Sequence, residues 1–467
     1  MDIYLKNVEV RNLFGWLNQK IEFEKDLTII YGSNGTGKTS ILHIIANLLN
    51  GSIPRFYNID FELIRISTNK NGVLELKKER KNSDDFSVYL NNRRLEKPFD
   101  IRMRRNVGRS RRERMILHDG IRIKEEQFLE EEAYQEIIEN YERDTLRKLK
   151  NELGLTSPTY FPAFRGMIEA WASINLRNTQ KSISTRRDIQ FVRALRQFDV
   201  TELSRNLFGE FVPKITYPSI LEIEVRLSRF ISRVITELSL KNQELLSNFF
   251  SDVLDESIEN RKYNTSIEES LMNIEKLYER LKTSELNKYT SLTSAFKEIS
   301  EKLSKINRDD LTPFVNILVH VFEEKFQELL NVQEKKLSQL KNYFEAVNSF
   351  FQEKKLSIPK NYTDIQDEPN FVEFPNGRRT SIRTLSSGER QLVSLFFSVY
   401  FDNEESRIIL IDEPELSLHI DWQRQLITAM KKKLGNKQII VCTHSPEIGA
   451  DFIYENKIRN LDCKECK

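Results

Sequence analysis

A glycine-rich segment near the start of the chain has the residue types that bind a triphosphate. Its glycines let backbone N–H groups turn inward around phosphate oxygens. Lys38 would reach the β- and γ-phosphates, and the Thr39 hydroxyl suits Mg²⁺. A strand is predicted before the segment and a helix after it, a context that disfavours a chance glycine-rich turn. We therefore predict that ATP and Mg²⁺ bind at this phosphate-binding loop and the next residue: Gly32, Ser33, Asn34, Gly35, Thr36, Gly37, Lys38, Thr39 and Ser40.

Two adjacent acids form a second group with catalytic potential. Asp412 and Glu413 follow four apolar residues, 408–411, which predict a strand buried in a sheet. Ligands of open α/β sheets bind at the carboxyl ends of such strands. Asp412 would hold Mg²⁺ through water, and Glu413 would polarise an attacking water as general base. The alternative, a capping or ion-paired acid pair, is the weaker interpretation beside a phosphate-binding loop.

A third group is a run of small residues ahead of an apolar helix. Ser386, Ser387, Gly388 and Glu389 precede apolar residues at helical spacing from Leu392 onward. The N-terminus of a helix has N–H groups that bind anions. Residues 40–384 separate this run from the phosphate-binding loop. Two distant parts of the chain would therefore meet around one nucleotide.

The order of these motifs resembles that of the ABC-type ATPases of the SMC, RecF and OLD group. The resemblance covers residues 1–50 and 380–450. Within the second range it includes the signature sequence 385–391 and the D-loop 415–419. It implies Mg²⁺-dependent ATP hydrolysis by an α/β head, split here by a large, mainly helical insertion.

The same resemblance implies how the motifs share a nucleotide. His444, which ends the strand after the acids, would be the switch histidine at the γ-phosphate, catalytic together with Lys38 and Glu413. The alternative is a packed or capping histidine. Residues 386–389 would cap the ATP of a second head, so a head-to-head homo-oligomer with two composite sites is expected. Gln190 is the candidate for the Q-loop glutamine.

Two further segments resemble OLD-like ATPases within that group. Residues 412–419 match the D-E-P-E-x-x-L-H form of their Walker B and D-loop region. Residues 160–165 resemble the aromatic-Pro-x-x-Arg segment of their insertions, with Gly166 where a second arginine is frequent. A buried turn explains the latter segment equally well.

A nuclease activity is not visible in the chain. Residues 445–467, which follow His444, are too few for a TOPRIM domain with its own core, and the sequence contains no other His/Asp/Glu metal cluster. The chain thus resembles a stand-alone OLD-type ATPase, most like the AriA subunit family of PARIS anti-phage systems and next the PtuA family of Septu. That resemblance implies an oligomeric sensor and scaffold that holds a separate TOPRIM nuclease of the AriB type until a phage protein triggers release.

Two other functions compete with the anti-phage role. A RecF-like repair ATPase that clamps DNA shares the same head motifs and is the main alternative. A transporter ATPase is disfavoured because of the long insertion between the phosphate-binding loop and the signature sequence.

The remaining chain predicts the domain organisation. We expect residues 1–205 and 358–467 to form the two parts of the head, and 206–357 a helical insertion. A heptad pattern from Leu330 to Phe351 and a second pattern over 271–281 predict either a short antiparallel coiled coil or a helical bundle.

Composition limits the environment and the partners. A net charge of +2 is too small for the protein as a whole to attract nucleic acid electrostatically. No apolar run approaches a membrane span, so no membrane contact and a cytoplasmic location are expected. Cys463 and Cys466 supply only two of the four ligands of a zinc site, and a polar tail is the favoured interpretation.

An arginine cluster is the remaining candidate interaction site. So many arginines close together repel one another unless anions or acidic groups compensate their charge. The alternatives are a solvated loop that pairs with nearby acids, a surface for an acidic phage trigger protein, and a groove for the DNA backbone. The cluster consists of Arg102, Arg104, Arg105, Arg109, Arg111, Arg112 and Arg114.

Overall fold

A computed structural model describes residues 3–78, 85–95, 125–166, 200–215, 217–259, 263, 266–283, 298, 302, 312–359, 369–402, 407–434 and 437–461. Only the backbone is described for 58, 125–137, 246, 281–283 and 402. The predictions for the Arg102–Arg114 cluster, Gln190, Cys463 and Cys466 lie outside the described residues. The chain forms two compact units. The first comprises Met1–Ser219, Ser387–Gln391 and Asp402–Lys467, and the second Ile220–Ser386 and Leu392–Phe401.

An antiparallel sheet opens the first unit. Its spatial order is β2-β1-β4-β5-β6-β7. Buried side chains recur at every second residue along β2, and at every second or third residue along β1, where the pairing register shifts, so one face of each strand is buried. The strands are β1 (Leu5–Leu13), β2 (Leu17–Glu22), β4 (Leu63–Thr68), β5 (Val73–Lys77), β6 (Ser87–Leu90) and β7 (Arg93–Arg94).

A parallel sheet of order β14-β3-β13-β12-β8 forms the centre of the first unit. Side chains of β12 and β13 are buried along their whole length, as parallel strands covered on both faces require. Residues 408–411, predicted as a buried strand, pair in parallel with the strand at residues 438–442. The strands are β3 (Leu27–Tyr31), β8 (Thr159–Phe161), β12 (Ile408–Asp412), β13 (Gln438–Thr443) and β14 (Ile458–Asn460).

Helices follow these strands as the sequence patterns predict. Helix α1 (Lys38–Leu49) begins at the phosphate-binding loop. It ends in a Schellman motif, in which Gly51 has φ +70° and donates to Leu48 while Ser52 donates to Asn47. Helix α2 (Glu125–Leu153) is rich in charged residues and ends just before Gly154.

The second unit is built on three helices, α3 (Ile220–Ile258), α4 (Ile267–Thr283) and α5 (Pro313–Asn348). Ion pairs fix the direction of α3 and α5: Lys336 pairs with Glu237 and Lys325 with Asp252, so the two helices are antiparallel. The heptad residues of α5 are buried up to Val347. The helix ends at Asn348, so Phe351 lies beyond it.

Of the two alternatives for residues 271–281, the structure shows the helical bundle and not the antiparallel coiled coil. Ser270 contacts His320 and Arg280 contacts Glu334, so α4 runs parallel to α5. The antiparallel partner of α5 is α3, and the three helices form a small bundle. Its shared core consists of Leu245, Ile274, Leu277, Val319, Phe322, Phe326, Leu329 and Leu330.

Short strands and the signature sequence complete the fold. The second unit contains an antiparallel sheet of β9 (Lys355–Leu356), β10 (Val372–Glu373) and β11 (Arg379–Thr380). Helix α6 (Ser387–Phe397) follows and contributes residues to both units. Helix α7 (Ile420–Leu434) lies between β12 and β13, and α8 (Pro446–Gly449) follows β13.

The predicted fold class is confirmed: an α/β head is interrupted by a large helical region. The compact units divide at Ile220 and within α6, whereas the domain boundaries at 205 and 357 stay predictions. Among the described helices, none is both long and apolar enough to cross a bilayer.

Candidate active site

The phosphate-binding loop has the backbone geometry of a phosphate cradle. Gly35 and Gly37 have φ of +81° and +89°, a region that side chains with a Cβ rarely adopt. A Cβ on Gly35 would meet open space, whereas one on Gly37 would lie 2.5 Å from Leu17 Cδ2. The loop is therefore open on one side and packed against β2 on the other. Residues 33–35 are exposed, Gly32 and Lys38 are buried, and residues 36, 37, 39 and 40 are partly buried.

A row of polar side chains links the loop to the distant catalytic candidates. Lys38 Nζ lies 3.2 Å from Nδ1 of His444, and His444 Nε2 lies 3.1 Å from Oε1 of Glu413. The ammonium can only donate, so Nδ1 accepts and Nε2–H donates to the carboxylate. Lys38 Nζ also donates to the carbonyl of Gly32 at 2.7 Å. The structure thus brings all three predicted catalytic residues into one hydrogen-bonded row.

The two residues predicted to hold Mg²⁺ are in direct contact. Thr39 Oγ1 donates to Oδ2 of Asp412 at 2.9 Å. The pKa of Asp412 is raised to about 7, chiefly by burial and also by the charge of Glu413, against the lowering effects of the Thr39 hydrogen bond and of Arg165. A hydroxyl and a carboxylate beside a triphosphate are the oxygen donors that Mg²⁺ uses. The described residues contain no group of three or more His, Cys, Asp and Glu that would bind a metal without phosphate.

The chain turns sharply at Asp412 and Glu413, here called the Walker B corner. Glu413 has φ +45°, a left-handed conformation that non-glycine residues seldom adopt. Its N–H donates to the carbonyl of Cys442 in β13 at 2.8 Å. On the other side, Arg165 donates to the carbonyls of Asp412 and Glu413, both at 2.9 Å.

The position of Arg165 was not foreseen from the sequence. The aromatic-Pro-x-x-Arg segment was predicted either as a family motif or as a buried turn. In the structure, Tyr160 and Phe161 lie on β8, which pairs with β12, and this pairing delivers Arg165 to the Walker B corner. The aromatic-Pro-x-x-Arg motif could have marked Arg165 as a functional residue, but it does not predict which strand β8 pairs with.

Glu415 holds the loop that carries His444, a contact that the sequence did not reveal. Its Oε1 accepts from the backbone N–H of His444 at 2.7 Å, from Ser445 N–H at 3.1 Å and from the Thr443 hydroxyl at 2.8 Å. The D-loop and the histidine loop are therefore fixed to each other through one carboxylate.

The signature residues begin α6. A Cβ on Gly388 would lie 2.3 Å from the backbone oxygen of Ser417, so only glycine fits against the D-loop here. Gln391 Nε2 donates to the carbonyl of Pro414 at 2.9 Å. Within the first unit, the start of α6 and the D-loop are therefore packed together. The roles of Ser386, Ser387, Gly388 and Glu389 at a nucleotide stay predictions.

Partly buried His43 and buried Tyr160 form an edge-to-face aromatic pair. His43 Nε2 is 2.9 Å from the hydroxyl of Tyr160, whose side chain is 1% exposed. Burial lowers the pKa of His43 to about 4, so the ring is neutral at pH 7. The pair connects α1 with β8, the strand that delivers Arg165.

The chain resembles known ATPases in local segments. It is 32% identical over 77 residues to the Retron Ec83 probable ATPase of Escherichia coli, covering 16% of this chain and 14% of that protein. It is 34% identical over 82 residues to the Retron Vc95 probable ATPase of Vibrio cholerae, covering 15% of this chain and 16% of that protein. It is 30% identical over 100 residues to the DNA double-strand break repair Rad50 ATPase of Methanocaldococcus jannaschii, covering 21% of this chain and 9% of that protein. The matched segments span less than a fifth of these relatives.

Comparisons over longer stretches include matches to solved structures and to a family model. The Smc head domain with an extended coiled coil from Pyrococcus furiosus, solved bound to the C-terminal domain of ScpA, aligns over 96% of this chain and 92% of that one. The TM-score is 0.41 and the identity 15%. A family model described as AAA ATPase domain matches residues 3–448. Because this match covers nearly the whole sequence, the chain belongs to the AAA ATPase domain family.

Proposed function

We propose that this protein binds and hydrolyses ATP at the site formed by the phosphate-binding loop, the Walker B corner and His444. The observation that carries the proposal is the row of Lys38, His444 and Glu413 beside the contact of Thr39 with Asp412. A phosphate-binding cation, a carboxylate base and two oxygen donors for a metal converge from β12, β13 and α1. This is the arrangement that phosphoryl transfer to water requires.

Each residue has a distinct role in the proposed reaction. Loop N–H groups and Lys38 bind the β- and γ-phosphates. Glu413 accepts the proton of the attacking water, and His444 orients the Glu413 carboxylate through its Nε2–H. Thr39 and Asp412 would hold Mg²⁺, which when bound neutralises charge on the phosphates.

Replacement of the proposed base tests the reaction. Glu413→Gln keeps the shape and removes the base, so we expect kcat to fall roughly 10²–10⁴-fold. ATP affinity, measured with a fluorescent analogue, should stay near that of the wild type. Glu334→Gln is the matched control, because Glu334 pairs with Arg280 on exposed helix surfaces. Normal turnover by Glu413→Gln would remove Glu413 as the base.

Two chains pair head to head in this proposal, and each completes the ATP site of the other with Ser386–Glu389. Support comes from the packing of Gly388 on Ser417 and from the exposure of D-loop residues 416, 417 and 419 beside it. We expect Glu413→Gln to form a stable dimer with ATP in light scattering. Gly388→Asp should bind ATP but remain monomeric. A monomer of Glu413→Gln at saturating ATP would contradict the pairing.

The biological role we propose is that of the ATPase subunit of an anti-phage system of the PARIS type. It would act as an oligomeric sensor and scaffold that controls a separate nuclease, with an AriB-type TOPRIM protein as the favoured effector. The resemblance of residues 412–419 to OLD-like ATPases and the two relatives named as retron ATPases support a defence role. An acidic phage protein, or DNA, would engage the arginine cluster at 102–114.

Co-expression with the product of the neighbouring gene tests this role. We expect the two proteins to co-purify and to protect cells against phage, and Lys38→Ala to abolish protection. Absence of both a bound partner and protection would contradict the defence role.

The second candidate is a RecF-like DNA clamp, which the Rad50 relative favours. It predicts ATP-dependent DNA binding that weakens steeply with salt. Reversing the charges between Arg102 and Arg114 should then abolish DNA binding and leave ATP binding unchanged.

A further inference from the structure

The guanidinium of Arg165 is the most completely enclosed cation at the Walker B corner. The side chain is 3% exposed, and each terminal nitrogen donates to backbone oxygens. NH1 donates to Pro162 at 2.8 Å and to Asp412 at 2.9 Å, and NH2 donates to Glu413 at 2.9 Å. Two of these three acceptors are consecutive carbonyls of the corner that presents the proposed base.

The conformation of that corner needs support from outside. Glu413 has φ +45°, and a non-glycine residue stays in this region only where its surroundings fix it. One contact comes from β13, where Cys442 accepts the Glu413 N–H at 2.8 Å. The opposite contacts come from Arg165, on the segment that follows β8. The corner is thus held by the strands on both sides of β12.

Arginine is suited to this task and lysine is not. A guanidinium is planar, and its fork of N–H groups reaches two acceptors at once with little loss of side-chain entropy. An ammonium carries its donors on one rotating nitrogen, so it does not hold the Asp412 and Glu413 carbonyls in the fixed relative orientation that the planar fork imposes. The buried guanidinium of Arg165 therefore fixes the angle between the peptide units of Asp412 and Glu413, which an ammonium would not do.

We propose that Arg165 is a positioning residue for ATP hydrolysis, which fixes the backbone of Asp412 and Glu413 so that the Glu413 carboxylate reaches His444 Nε2. The inference rests on the proposed function. Arg165 follows β8 in the first unit and is far in sequence from both the phosphate-binding loop and the signature sequence. This segment therefore sets the geometry of the proposed base directly, through one side chain.

Amide hydrogen exchange and kinetics together test this role. In nucleotide-free Arg165→Lys we expect faster exchange over residues 412–418, whose amides include those of Glu413, Leu416 and Leu418 bonded to backbone oxygens. We expect kcat to fall roughly 10–100-fold, as for a displaced catalytic group, with the Kd for ATP within about threefold of the wild type. Arg165→Met should lower kcat further than Arg165→Lys does. If Arg165→Met does not fold, Arg165→Lys alone still tests the role.

Arg379→Lys is the matched control. Arg379 also donates to backbone carbonyls, of Ile358 at 2.9 Å and Asn370 at 3.4 Å, but in the three-stranded sheet. Its variant should leave exchange over 412–418 and kcat unchanged.

The outcomes separate the two proposals. Unchanged exchange or unchanged kcat in Arg165→Lys, with an active wild type, would overturn the positioning role. An equal rise in exchange throughout the first unit would overturn it as well. If the wild type does not hydrolyse ATP, the proposed function is overturned. Faster exchange confined to residues 412–418 in Arg165→Lys would then still support the contact by which Arg165 fixes the Walker B corner.

Discussion

The raised pKa of Asp412 makes a quantitative prediction about stability without nucleotide. The folded protein keeps Asp412 protonated up to about pH 7, whereas the unfolded chain releases the proton near the ordinary value of 3.8. Between these values the folded state binds more protons, so the free energy of unfolding falls as pH rises. Above pH 7 the loss is complete.

The size of the effect follows from the two pKa values. Each unit of pKa shift corresponds to about 1.4 kcal/mol, so the full cost is about 4 kcal/mol at high pH. Between pH 5 and pH 8 the linkage relation gives a loss of roughly 2–3 kcal/mol. Asp412→Asn cannot ionise, and its side-chain oxygen still accepts from Thr39. We therefore expect the stability of the variant relative to wild type to rise by about 2–3 kcal/mol between pH 5 and pH 8.

Urea unfolding with tryptophan fluorescence is the assay, in buffer with a chelator and without nucleotide. Of the three tryptophans in the chain, Trp16 and Trp422 lie in the first unit, which contains Asp412. Asp60→Asn is the matched control: it removes a carboxylate whose side chain is 89% exposed in the same unit, and should follow the wild-type pH dependence. Equal pH dependence of wild type and Asp412→Asn would refute the reasoning.

Two further predictions concern α1 and the D-loop. The pKa of His43 is lowered from 6.5 to about 4, so wild type should lose up to about 2 kcal/mol of stability from pH 7 to pH 5. His43→Gln should remove that loss in urea unfolding, and an unchanged acid loss would contradict it. Gly388→Ala would place a Cβ 2.3 Å from the Ser417 backbone oxygen and should lower kcat at least tenfold in a steady-state ATPase assay. Gly166→Ala, where a Cβ meets open space, is the control, and equal rates for the two would contradict the steric argument.

Much of the head could be predicted from the sequence because its signals are local. A buried apolar strand followed by acids, and a glycine loop between strand and helix, each lie within about ten residues. The confirmed fold class and the pairing of β12 with β13 follow from these short patterns. The rule that parallel strands present their carboxyl ends at one edge also explains why Lys38, Glu413 and His444 lie together.

Features that depend on distant pairing could not be predicted. The heptad pattern of α5 marks its buried face, but a seam of apolar residues does not encode the direction of the partner helix. That direction is set by pairs such as Arg280 with Glu334 and Lys336 with Glu237, which no local pattern reveals. Likewise, Arg165 reaches the Walker B corner only because β8 joins β12, a pairing between segments far apart in sequence.

The pairing of β3 has a consequence for how the protein is made. Its neighbours in the parallel sheet are β13 and β14, both within residues 438–460. At about 5–20 residues per second, the ribosome needs on the order of 20–80 s between completing β3 and supplying its partners. The helices of the second unit, whose contacts are closer in sequence, can fold during that interval. The apolar strand that leads into the phosphate-binding loop must meanwhile stay unpaired, so nascent chains and fragments that stop before residue 438 should depend on chaperones to avoid aggregation.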